Sequence, residues 1–265
     1  MEKKKLYSAR MQKYTEKYSN LFAGYLTAGY PDVESFNAVV KRCSEEGMQI
    51  LEVGFPSRNP YDDGEVIQKA HSKVDIDLCT KISFWKNLRK ELDIPIWVMG
   101  YREDLIETGF YKELARDRLV DVLVIPRMDF QERLKLRDEL KLMNVDVMGF
   151  VDTASSFGEI TRTLQEFTLI YQKLYSGPTG VKNESDDYKD LLSYEKVLHN
   201  NIVFAGFGIS TPERVEELLK KGFDGAIIGT ELLKKLNQSQ EDMYAFIRKV
   251  SKVVEEAEPY VHCDL

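Results

Sequence analysis

An alternation limits the fold more than any other feature. Short runs of aliphatic and β-branched residues recur along the chain, and each is followed by a charged segment with helical apolar spacing. That pattern belongs to βαβ units feeding a parallel sheet. Eight runs read as strands, at residues 22–28, 49–55, 95–100, 120–125, 145–151, 167–171, 202–207 and 225–228. Between them the chain is punctuated as helices require. Pro31-Asp32 offers a cap for a helix over 33–46, and Thr211 caps one over 212–221 whose first position is Pro212. No linker, low-complexity tract or compositional break interrupts the series. The expected fold is therefore an α/β single domain over residues 1–265, a (β/α)8 TIM barrel, with an open doubly wound sheet as the structural alternative. Residues 4–18 read as an extra N-terminal helix covering the barrel floor, and residues 237–257 as a closing helix or pair.

Composition narrows the partners. A formal net charge of -7 argues against nucleic acid, because phosphate backbones are held by clustered Lys and Arg. No run is long and charge-free enough to cross a bilayer, and the basic start has no apolar segment behind it, so a soluble cytoplasmic protein with no membrane partner is expected. Cys43, Cys79 and Cys263 are few and far apart, which suits ordinary thiols. His71, His199 and His262 lack ligand spacing and read as surface or packing residues, so no metal is implied. Trp85 and Trp97 fit packing roles.

Two motifs could carry chemistry. In Ile50-Leu51-Glu52-Val53-Gly54-Phe55-Pro56 an acid lies among apolar neighbours at a strand end; desolvation there would raise its pKa and make Glu52 a proton donor or acceptor near neutral pH. Pairing with a Lys or Arg is the plain alternative. Asp62 and Asp63 follow in a turn-rich loop ahead of a helix near Glu65, where they fit caps, or, by their place at the mouth after strand two, a second acid beside Glu52. The other motif pairs Ala205-Gly206-Phe207-Gly208-Ile209-Ser210-Thr211-Pro212 with Ala226-Ile227-Ile228-Gly229-Thr230. Two glycine turns after the last two strands let backbone amides approach one phosphate, although Gly208 and Gly229 could simply permit tight turns. Residues 172–187, with Gly177, Pro178 and Gly180, are the longest stretch without periodicity and read as a lid after strand six or as a surface loop.

In order and spacing these motifs resemble the tryptophan synthase α subunit family. The resemblance is carried by Tyr25-Leu26-Thr27-Ala28-Gly29-Tyr30-Pro31, Leu51-Glu52-Val53-Gly54-Phe55-Pro56, Asp63-Gly64-Glu65-Val66-Ile67-Gln68-Lys69-Ala70, Gly206-Phe207-Gly208-Ile209-Ser210 and Gly229-Thr230. It implies retro-aldol cleavage of indole-3-glycerol phosphate to indole and glyceraldehyde 3-phosphate, in tryptophan biosynthesis, with no metal or organic cofactor. It also implies Glu52, Asp63 and Tyr171 as catalytic residues, a phosphate grip by Gly180, Gly208, Gly229 and Thr230, and Thr179 on a mobile loop. The implied partner is a pyridoxal-phosphate β subunit in an α2β2 heterotetramer. Several loops depart from the family pattern. Ser57-Arg58-Asn59-Pro60 stands for Phe-Ser-Asp-Pro, Pro126-Arg127-Met128-Asp129 for Pro-Asp-Leu-Pro, and Tyr175 for an arginine of the lid; Val151-Asp152-Thr153-Ala154-Ser155-Ser156 lacks the usual prolines. Three functions fit these residues: an α-type lyase, another phosphate-binding barrel lyase or isomerase, or a non-catalytic activating partner of a β subunit.

Overall fold

In the computed structural model, which describes residues 5–174 and 201–259, every one of the eight runs is a strand. They are β1 (Leu21–Thr27), β2 (Ile50–Gly54), β3 (Ile96–Met99), β4 (Val122–Val124), β5 in two pieces (Asp146–Val147 and Gly149–Val151), β6 (Leu169–Lys173), β7 (Ile202–Gly206) and β8 (Gly225–Ile228). All pairings are parallel. β1 pairs with both β2 and β8, which an open sheet ending at β1 could not do. β4 pairs with the first piece of β5 and β6 with the second, so the ring closes through one strand that breaks its ladder at Met148. The fold is a (β/α)8 barrel.

Both faces of the strands are buried, as the near-continuous apolar runs require. Side chains alternate across the sheet with period two. One set, including Ala23, Ile50, Trp97, Val122, Met148, Ile202 and Phe204, fills the barrel interior; there Trp97 meets Phe204 edge to face at 4.9 Å. The opposite set, including Phe22, Leu51, Val98, Val203 and Ile228, packs under the helices. Burying one such side chain stabilises the fold by about 1.5–3 kcal/mol.

The helices start where their caps are. α2 (Val33–Glu45) opens on Asp32, whose carboxylate accepts from Ser35 N at 2.8 Å, and α8 (Phe157–Glu166) opens on a reciprocal Ser156–Glu159 capping box. The extra N-terminal helix, α1 (Ala9–Lys17), is shorter than the periodicity suggests because Ser8 caps it. It closes the barrel floor. Leu6 and Met11 join the interior cluster, the amides of Tyr7 and Ser8 donate to Asp146, and Ser8 Oγ bonds Asp121 at 2.8 Å. The segment expected to close the chain divides, residues 237 and 238 ending one helix and Gln240–Glu256 forming the last. Among the described residues no helix is long and apolar enough to cross a membrane, and Cys43 and Cys79 are free thiols. Cys263, His199, His262, Thr179 and Gly180 lie outside the described residues.

Candidate active site

Barrel closure with period-two alternation sends every second strand residue inward, and toward the C-terminal ends these are Tyr25, Glu52, Tyr171 and Lys173. With the loops after β2, β7 and β8 they line one cavity of about 810 Å³ at the mouth. Glu52, Asp63, Tyr171, Gly208, Gly229 and Thr230 all face it, so the acid of β2 and the two glycine turns share one space.

Glu52 is 1% exposed, and its Oε1 has no hydrogen-bond partner among the described residues. Burial, with a smaller contribution from Asp63, pushes its pKa up to about 8. Among the described residues no cation pairs with it, so the ion-pair alternative has no partner there. Asp63 is held differently: the Tyr101 hydroxyl donates to its Oδ2 at 2.8 Å, yet burial still raises its pKa to about 6. At pH 7 the two carboxyls therefore differ, Glu52 mostly protonated and Asp63 mostly ionised. That division lets one cavity offer a proton donor and an anionic acceptor together.

Neither Asp62 nor Asp63 caps a helix, which corrects that expectation. The N-cap of α3 (Glu65–Lys73) is Gly64, with no side-chain cap bond. Asp62 instead pairs with Arg127 across the mouth, and its amide donates to Tyr101 Oη at 3.1 Å.

His71 takes the packing alternative expected of it and adds a polar role. It is buried in the cavity wall, and its Nδ1 accepts from the Ser57 amide at 3.2 Å. A neutral ring bonded in that way carries its proton on Nε2, which lies 3.3 Å from Tyr25 Oη and 4.0 Å from Asp63 Oδ2. Burial lowers its pKa to about 4, so near neutrality the Asp63 contact is polar rather than an ion pair. The signal was present in the sequence, since Ile67, Ala70 and His71 fall on one helical face.

Two tyrosines shape the cavity, and each depends on a glycine. A Cβ at Gly206 would lie 2.2 Å from the Tyr171 ring, and one at Gly54 would lie 2.1 Å from the Tyr25 hydroxyl. Tyr171 also stacks on Phe150 at 4.8 Å and meets Phe207 edge-on at 5.9 Å. These rings form an aromatic slot in the cavity that Glu52 faces. Lys173, one inward position above Tyr171, places its ammonium 4.3 Å from the Phe207 ring centroid. Tyr25 and Lys173 were not singled out in the sequence, although strand alternation from Ala23 and from Tyr171 points both inward.

In the loop after β7, Phe207 and Gly208 have successive positive φ values of 70° and 80°. Phenylalanine rarely adopts that conformation, and a costly backbone of this kind marks a turn held for a purpose. The helix after this turn opens at Pro212 with its first-turn amide taken by Thr211 Oγ1. The helix after β8, Thr230–Gln238, begins at Gly229 with no side-chain cap, and its first residues line the cavity. Its free amides and helix dipole suit an anion. Among the described residues, no group of His, Cys, Asp and Glu is arranged to hold a metal.

A family model described as "Tryptophan synthase alpha chain" matches residues 11–262. The chain is 28% identical over 241 residues to the tryptophan synthase alpha chain of Prochlorococcus marinus, covering 88% of this chain and 85% of that one. To the tryptophan synthase alpha chain of Bacillus thuringiensis it is 30% identical over 246 residues, covering 89% and 94%. In fold it is similar to the Mycobacterium tuberculosis tryptophan synthase structure, with a TM-score of 0.83 at 21% identity over 94% of this chain and 99% of that one.

Proposed function

The chain belongs to the tryptophan synthase alpha chain family, a lyase family, and from that premise we propose that it cleaves the carbon–carbon bond of indole-3-glycerol phosphate to give indole and glyceraldehyde 3-phosphate. The observation that carries this reading is geometric: two carboxyls, buried Glu52 and Asp63 on the Tyr101 hydroxyl, share one cavity with an aromatic slot and with the turns at Gly208 and Gly229.

The steps follow from the placement. The phosphate sits against the turns at Gly208 and Gly229–Thr230, and the indole ring lies in the slot formed by Tyr171, Phe150 and Phe207. Protonated Glu52 gives its proton to the ring carbon bearing the side chain, which breaks the aromaticity of the pyrrole ring and leaves positive charge at the ring nitrogen. Ionised Asp63 accepts the ring N–H and stabilises that charge in a site where few waters compete. The Glu52 carboxylate then takes the proton of the hydroxyl on the adjoining carbon. As the C–O bond becomes a carbonyl, the carbon–carbon bond breaks, its electron pair returns to the ring, and Glu52 is protonated again. The buried phenols of Tyr171 and Tyr25 keep their protons, because burial raises both well above the ordinary tyrosine value; they shape the slot and exclude water. Thr179 and Gly180 keep the roles that the resemblance implies, a loop residue and a further phosphate amide. The proposed partner is a pyridoxal-phosphate β subunit, supported by family membership, and an α2β2 assembly follows from that.

The test is release of indole from indole-3-glycerol phosphate by the purified chain, alone and with a β subunit, with Glu52→Gln as control. Indole from wild type and none from the variant is the expected result. If both are silent but the chain stimulates a β subunit, the activating-partner reading replaces this one; if neither occurs, another phosphorylated substrate must be sought.

A further inference from the structure

One departure from the family pattern reaches across the cavity mouth to the loop that carries Asp63. Arg127, after β4, pairs with Asp62, in the loop between β2 and α3, and its guanidinium also lies over the Tyr61 ring at 5.8 Å. Tyr61 leans on Tyr101 with ring centroids 4.6 Å apart, and the Tyr101 hydroxyl is bonded both to the Asp62 amide and to the Asp63 carboxylate. Asp63 is thus three contacts from Arg127 by either route, through Asp62 or through Tyr61. The Arg127 end is fixed as well. Buried Arg133 donates to the carbonyls of Pro126 at 3.1 Å and Met128 at 3.2 Å, which flank Arg127 on both sides. The loop that carries Asp63 is also held by its own turn bonds, by the Ser57 amide on His71, by Arg58 on Asp77 and by Gln68 Nε2 on the carbonyls of Pro60 and Asp63; the Arg127 tie is, among the described residues, the one that crosses the mouth to the loop after β4.

We propose that Arg127 is a positioning residue: braced by Arg133, it ties Asp62 and Tyr61 across the cavity mouth, so the chain holds Asp63 against Tyr101 without a partner subunit. As a role in cleavage this rests on the function proposed above; as a statement about the loop it does not. Arg127 stands at the rim of the cavity. It acts only by keeping Asp63 where the charge on a bound ring would develop, so its loss should appear in turnover rather than in binding to the distant cradle.

Two assays on the isolated chain separate the claims. One is amide hydrogen exchange of the peptide spanning residues 57–64, which needs no substrate; the other is steady-state indole formation. An exposed ion pair and a cation–π contact each contribute a few-fold, so Arg127→Ala should raise loop exchange and lower kcat about tenfold each, with KM changed less than about twofold. Arg127→Lys keeps the charge and should recover most of both. Asp62→Ala removes the ion pair but leaves the Tyr61 contact, so it should lose about threefold, and the double variant should be no worse than Arg127→Ala, the signature of one shared interaction. In about 1 M salt the wild type should move toward Arg127→Ala. Loop exchange and turnover within about twofold of wild type in Arg127→Ala, or fully additive losses in the double variant, overturn the proposal. Faster loop exchange in a chain that forms no indole even as wild type keeps the tie and sinks the lyase reading alone.

Discussion

Replacing Glu52 by Gln should move activity and stability in opposite directions. The carboxyl is buried against apolar strand neighbours, and its pKa lies near 8 instead of the ordinary 4.5. In the unfolded chain the same group ionises above pH 4.5, while in the fold it keeps its proton until pH 8. Between these values the folded state binds more protons, so stability falls as pH rises. Below 4.5 both states are protonated and the effect vanishes; above 8 it is complete. The shift of about 3.5 units at 1.36 kcal/mol per unit sets an upper figure of about 5 kcal/mol. Glutamine has no such dependence. Its amide can be left short of a partner and cost about 1–3 kcal/mol, but equally at every pH, so the informative quantity is the slope and not the offset. Urea unfolding of wild type and Glu52→Gln at pH 4.5, 6, 8 and 9 measures it. The variant should gain on the wild type steadily from pH 4.5 to 8 and hold a constant lead beyond, while indole formation drops by about 10²–10⁴. Parallel curves for the two proteins would refute the desolvation of Glu52, and with it the reason for assigning it the proton.

The pH–rate profile should be a bell with an acid limb near 6, where Asp63 ionises, and a basic limb near 8, where Glu52 loses its proton; Asp63→Asn should remove the acid limb along with most of the rate. Gly208→Val should raise KM more than it lowers kcat, because φ of 80° is strained for valine and the turn must shift; calorimetric titration with glycerol phosphate reads the same loss without turnover. Gly206→Ala should destabilise by about 1–3 kcal/mol as the Tyr171 ring is driven off its site, seen in thermal melts. Ser8→Ala should cost about 1–2 kcal/mol, because one hydroxyl caps α1 and bonds Asp121, and it should leave kcat unchanged.

The barrel was legible because every strand is buried on both faces, and apolar runs of four to seven residues separated by capped helices have few other solutions. The acid of β2 and the glycine turns were legible for a related reason: each stands at the C-terminal end of a strand, and closure brings those ends together. What the sequence hid depends on contacts between loops. Nothing in the separation of Asp62 from Arg127 announces their meeting, and the two acids of that loop have the local look of helix caps. His71 was passed over because histidine spacing was weighed for metal binding and not for the helix face it shares with Ile67 and Ala70. The break of β5 falls at Met148, an apolar residue that by itself gives no sign of it.

The two tyrosines that wall the cavity borrow their room from neighbouring strands: Tyr171 rests where Gly206 has no side chain, and Tyr25 where Gly54 has none. The contour of the pocket is thus specified in pairs, a large residue on one strand and an empty place on the next. An engineer who enlarges or shrinks one member alone meets either a steric wall or a void, whichever is chosen. Libraries aimed at new substrates for this barrel should vary 171 with 206, and 25 with 54, as coupled positions.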